Sequence, residues 1–268
     1  MVAAEKVLEA EKSVLKADLE TAEALLLKAR ELVPDSKNVN HKLGRFYYDN
    51  GEQEKGLAVL FEFGSALRIP RLQETPKIDG RLEDAVWETA QTLTQFYQNI
   101  FKMAAYPTNG KTEAYIGHAN NTIFFGIKGY EPSTDNLEAK ATQRDEDAWE
   151  DDCVELFFDV NRDYQSYHQI VINSLGTVFD LHSDGTNRQG DIGWNGEYEV
   201  ATQVDADSWT LEIAIAADQF TEKKIEKGVV WSGNIARIRI ANDSEYGQWA
   251  PTYGMALRPE HFGFFVFE

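Results

Sequence analysis

Apolar positions along the chain repeat at two different periods, and the change from one to the other happens once. In the first 68 residues Leu25, Leu26, Leu43, Phe46, Leu57 and Leu60 fall at helical spacing within a segment rich in Ala, Leu, Glu and Lys. Pro34 is the only proline there. From Pro76 onward the apolar residues come in short alternating runs broken by Gly, Asn and Asp, which is strand composition. Pro70 and Pro76 bracket the joint. The pattern predicts a helical segment over residues 1–68 and a mainly β domain over 69–268, an antiparallel sandwich preceded by a small helical repeat.

Within the helical segment, Ala22, Leu26, Ala29 and Pro34 resemble the second helix of a tetratricopeptide repeat. Leu43, Gly44, Tyr47 and Gly51 fit the first helix and turn of a following unit, with Leu60 one repeat length of about 34 residues after Leu26. Gly56 and Phe63 depart from the pattern, and residues 1–16 lack the aromatic and glycine marks of a first helix. Antiparallel helices are expected, packed on the β domain and able to dock a protein partner.

Three β-domain runs show two-sided alternation. Val154, Leu156 and Phe158 alternate with Cys153, Glu155, Phe157 and Asp159, and His168, Ile170 and Ile172 alternate with Gln169, Val171 and Asn173. Ala236, Ile238 and Ile240 alternate with Arg237 and Arg239. The expectation is one apolar face toward the sandwich interior and a second face bearing Glu155, Gln169, Asn173, Arg237 and Arg239. Gln, Asn and Arg are poor strand formers. Set mid-strand beside a glutamate, they offer the paired donors and acceptors that vicinal sugar hydroxyls need.

Charge and cysteine content narrow the partners. With 26 basic and 45 acidic residues the formal charge is −19, which disfavours nucleic acid and anionic membrane surfaces and favours divalent cations. Asp159, Asn161 and Asp163, alternately spaced, are the leading loop for a calcium ion. The single cysteine, Cys153, excludes an internal disulfide and reads as a buried thiol. No apolar run is long enough to span a bilayer, and Met1 opens onto an acidic helical segment instead of a signal peptide. An extracellular or cell-envelope location is expected if the chain belongs to a longer, signal-bearing one.

Two tryptophans stand in loop-like surroundings: Trp149 among acids at 147–152, and Trp249 in Tyr246-Gly247-Gln248-Trp249-Ala250-Pro251. Exposed rings of this kind stack on the C–H face of a sugar. Trp87, Trp209 and Trp231 read as core, and Trp194 fits either role.

The stretch Pro76-Lys77-Ile78-Asp79-Gly80-Arg81-Leu82-Glu83-Asp84-Ala85-Val86-Trp87 resembles the opening of carbohydrate-binding module family 9. Residues Trp149 through Asp159 are similar to that family's central motif, and Tyr167 through Gly176 to the strand and turn that follow. Trp231 through Arg239, Trp249 and Phe262-Gly263 fit its closing strands. The resemblance implies a β-sandwich of the DOMON-like class with structural calcium, binding the terminal sugar of a saccharide or polysaccharide between two tryptophans. On it, Trp149 and Trp249 would be the walls and Glu155 a hydroxyl acceptor, with Gln169, Asn173, Arg237 and Arg239 assisting. Ser183 to Asn195 has no counterpart and is expected to shape the pocket.

Catalysis and haem are the rival readings. Glu155 with Asp152 or Asp159 could form a glycosidase pair, but acids this close on one strand are common structural features. A b-type haem would draw on Met103, Met255, His118, His168, His182 or His261.

Overall fold

The computed structural model describes residues 2–98, 105–187 and 190–268. The chain divides into a helical unit ending at Leu67 and a β unit of Arg68–Asn99 and Tyr106–Glu268.

The helical unit is two helical hairpins, α1 (Val2–Leu15) with α2 (Leu19–Leu32), and α3 (Lys37–Asp49) with α4 (Gln53–Glu62). Asp18 caps α2 by accepting the Thr21 amide at 3.2 Å, and Ser36 caps α3 through the Val39 amide at 3.4 Å. The small residues foreseen at the α2 face, Ala22 and Ala29, are fully buried with Leu26. In the second hairpin the two backbones meet at glycines. A Cβ on Gly56 would lie 2.6 Å from the Gly44 carbonyl, and one on Gly44 would lie 2.7 Å from the Leu60 side chain. The part-buried Lys37 amine donates to the carbonyls of Phe63 (3.0 Å) and Gly64 (2.6 Å), holding the end of α4, and desolvation lowers its pKa to about 8.

The β unit is a sandwich. Its small sheet has the order β2 (Gln91–Leu93), β4 (Thr112–Ala119), β5 (Thr122–Tyr130), β10 (Ser208–Ala216), β9 (Tyr198–Val204). Its large sheet runs β1 (Ala66–Ile69), β13 (Gly263–Phe267), β11 (Val230–Arg239), β6 (Cys153–Asp159), β7 (Tyr167–Asn173), β8 (Val178–Ser183). The long β11 pairs with β13 over its first half and with β12 (Glu245–Gln248) over its second, and β12 carries the two-residue β3 (Tyr97–Gln98).

Between the sheets Phe125 of β5 meets Phe158 of β6 at 5.9 Å and Phe265 of β13 at 6.3 Å. Each sheet also has a covered outer face. The segment carrying Leu72, Leu82 and Trp87 packs on Phe124 and Ala214 of the small sheet, where the Trp87 indole donates to the buried Glu212 at 2.9 Å. Loops carrying Ala141, Ala148 and Phe262 pack on Cys153, Phe157 and Val171 of the large sheet. The central strands are therefore buried on both sides, and the one-sided burial expected from alternation does not hold.

Candidate functional site

The covered outer face of the large sheet is incomplete, and the gap is a cleft of about 580 Å³. Its floor follows from the strand register. Glu155 lies opposite Val171 and Ala236, while Phe157 lies opposite Gln169 and Ile238 opposite Cys153 and Tyr246, so all of these share one face. Phe179 and Leu181 extend the floor across β8, paired with Val171 and Gln169. The rest of the lining comes from residues outside the strands: Met255, Ala256, Leu257, Ile192 and Trp149.

Trp149 stands on a short 3₁₀ turn (Ala148–Glu150) with its ring edge-on to Phe179 at 4.4 Å, and it stays 37% exposed. The polar groups of the cleft are few. Glu155 is buried, takes the Tyr246 hydroxyl as donor and the Gln169 amide at 3.4 Å, and burial pushes its pKa up to about 7.

Trp149, Glu155 and Gln169 are thus brought together, and the other expected site residues are not. Arg237 lies opposite Val154, on the face toward the small sheet, and Arg239 follows it there. Expecting them beside Glu155 assigned β11 the wrong face: Ala236 and Ile238 are its cleft-side residues. Both arginines pair with the buried Glu131 just past β5, Arg239 Nε at 2.9 and 3.0 Å, and Arg237 also donates to the Lys111 carbonyl at 3.0 Å.

Trp249 is 1% exposed and stacks on Phe265 at 5.4 Å with the rings 11° from parallel. The segment after β12 does not turn away. The Trp249 amide donates to Ile235 and the Ala250 amide to Asn234, which keeps the strand path and points Trp249 into the sandwich. Asn173 shares the cleft's face but is fully consumed: it donates to the Ala141 carbonyl and Asp151 at 2.8 Å each and accepts the Leu175 and Thr177 amides.

The loop of Asp159, Asn161 and Asp163 closes on itself. Asp159 accepts the amides of Asp163 (3.3 Å) and Tyr164 (2.9 Å), Asn161 accepts the Asp163 amide, and Asp163 accepts the Gln165 and Ser166 amides at 2.7 Å. Each contact uses one lone pair of the accepting oxygen, and a carboxylate oxygen keeps a second. Among the described residues no group of three or more His, Cys, Asp or Glu side chains is gathered as a metal site. A haem would need its axial ligands gathered at one pocket. Met255 lines the cleft without any histidine, and His168 instead stacks on His182 at 4.4 Å and packs on Trp194 and Phe220. Met103 lies outside the described residues.

Sequence reasoning missed Tyr246, Phe179, Leu181, Ile238 and the 255–257 wall. Phe179 and Leu181 had the alternating signal of a strand, but the wall has none, since only its packing on the large sheet makes it part of the cleft.

The sequence profile of carbohydrate-binding family 9 matches residues 81–234, more than half of the chain. No curated protein matches it in sequence. Among solved structures, a Bacteroides uniformis protein named as a candidate for carbohydrate binding aligns with a TM-score of 0.59 at 18% identity, over 76% of this chain and 99% of its own. A family 9 module from Caldicellulosiruptor kristjanssonii in complex with cellotriose aligns at 0.55 and 16% identity, over 76% of this chain and 93% of its own. The same organism's family 9 module with glucose aligns at 0.52 and 18%, over 75% and 95%. At such identities the likeness is one of fold.

Proposed function

The chain belongs to carbohydrate-binding family 9, and we propose that its cleft holds the end of a saccharide without chemically altering it. The observation that carries this reading is the joining of a part-exposed indole, Trp149, to a recessed acceptor, Glu155, within one cleft. A pyranose offers an apolar C–H face and a rim of hydroxyl donors. The first suits the indole and the second suits the carboxylate with Gln169 beside it. The fold shared with modules recorded in complex with cellotriose and glucose supports the same reading.

A binding role fits the cleft better than hydrolysis. Glycosidases flank the scissile bond with two carboxyl groups, whereas Glu155 is the only acid lining the cleft among the described residues. Of its neighbours considered as partners, Asp152 is held by the amides of Glu138, Ile240 and Ala241, and Asp159 by its own loop.

The stacking in this reading comes from Trp149 alone, because Trp249 belongs to the core. With one stacked ring and two or three hydrogen bonds, a dissociation constant of about micromolar to millimolar is expected, roughly −8 to −4 kcal/mol. Calorimetric titration with mono- and oligosaccharides tests this. Saturable heat that disappears in a folded Trp149→Ala variant is expected; heat that survives the substitution would place the sugar elsewhere, and no heat with any saccharide would end the proposal.

A further inference from the structure

The buried carboxylates of the sandwich are almost all neutralised from within. Glu131 has Arg237 and Arg239, Asp180 has Arg144 at 2.7 Å, and Asp151 is held by the Lys140 and Ala141 amides and Asn173. Even Glu212, which has no cation, accepts the Asp79 and Gly80 amides and the Trp87 indole. Glu155 differs from all of them. It is 4% exposed, accepts no backbone N–H, pairs with no cation among the described residues, and holds one hydroxyl and one long amide contact. It also lines an open cleft, so a partner can arrive from outside.

We propose that the partner is a protonated amine carried by the sugar, which makes the preferred ligand a saccharide ending in a hexosamine with a free amino group. This rests on the saccharide reading above and adds the charge of the ligand to it. A neutral hydroxyl returns one hydrogen bond to Glu155 and leaves its charge uncompensated in a low-dielectric site, whereas an ammonium supplies the opposite charge and up to three donors. Three aromatic rings, Trp149, Phe179 and Tyr246, line the same cleft, and aromatic rings attract cations. The chain's formal charge of −19 favours the approach of a cationic ligand and disfavours uronic acids. The high carboxyl pKa of about 7, set by burial, is consistent with a group that becomes fully ionised only when a cation arrives.

The test compares glucosamine with glucose and N-acetylglucosamine by calorimetry at pH 7 and ~0.15 M salt, on the intact protein and on Glu155→Gln. Expected is tighter binding of glucosamine by about tenfold or more over both neutral sugars, with the ratio collapsing to within about twofold in Glu155→Gln. Equal or better binding of the neutral sugars overturns the inference and leaves the saccharide reading standing. A glucosamine preference that persists in Glu155→Gln assigns it to the acidic surface and also overturns the inference. Absence of binding by all three, and by their oligomers, ends both.

Discussion

Glu131 and Glu155 are both buried glutamates of one sandwich, yet their surroundings are opposite. Glu131 lies between the sheets with two arginines and Asn242 around it. Glu155 lies on the far side of the large sheet, at the floor of a cleft, with a tyrosine hydroxyl and a distant amide. The contrast teaches that burial of a polar group marks a site only when the chain leaves its partners out. The arginines expected at the cleft were spent on the interior.

Removing the carboxylate from the filled cluster should have the largest effect. Glu131→Ala strands Arg237 and Arg239 as unpaired buried charges and should cost about 3–5 kcal/mol by chemical denaturation. A loss below ~1 kcal/mol would show that the cluster is wetter than its burial implies.

At Glu155 the sign is reversed. Its folded pKa of about 7 lies above its ordinary carboxylate value, so the stability it contributes is full at acid pH and is lost as pH rises through about 7. Glu155→Gln is spared that loss. The variant should therefore gain on the parent by about 2–3 kcal/mol between pH ~4 and pH ~8, read as the difference between two denaturation series. Because burial also raises Asp159 to about 7, only that difference isolates Glu155. A flat difference would contradict the uncompensated state assigned to it.

The two expected sugar walls sharpen the same contrast. Trp249→Ala opens a hole against Phe265 and should cost about 3–5 kcal/mol, whereas Trp149→Ala should cost ~1 kcal/mol or less in stability and act on binding. Equal losses would mean that Trp149 is core as well. The smallest effect expected is that of chelation. The side-chain oxygens of Asp159, Asn161 and Asp163 keep lone pairs beyond the amides they accept, so added calcium should raise Tm by a small amount over EDTA. An unchanged Tm would show that this loop holds no ion.

The fold was legible because strand alternation and the helical stripe are local signals. The shared face of Glu155 and Gln169 was legible for the same reason, since β6 and β7 are neighbours and each shows its phase. The phase of β11 was not legible. With both faces of the large sheet covered, Ala236 and Ile238 look as much like interior residues as Ile235 does, and only the pairing of Ala236 with Glu155 decides between them. Trp149 read as exposed from its acidic surroundings. Trp249 had similar turn-like neighbours, but hydrogen bonds to Ile235 and Asn234 return it to the core, and these link residues far apart in sequence. Ile192, within the 183–195 stretch expected to shape the pocket, does line it.

The central claim is that a saccharide enters the cleft beside Trp149 and above Glu155. The most direct measurement is a ¹H–¹⁵N spectrum of the indole N–H groups of the six tryptophans during titration with glucose, glucosamine and a cello-oligosaccharide. A saturable shift of the Trp149 signal is expected, identified by its loss in Trp149→Ala, with Trp249, Trp87, Trp209 and Trp231 unmoved. A Trp149 signal that stays fixed while another tryptophan moves, or six signals that never move, would contradict it.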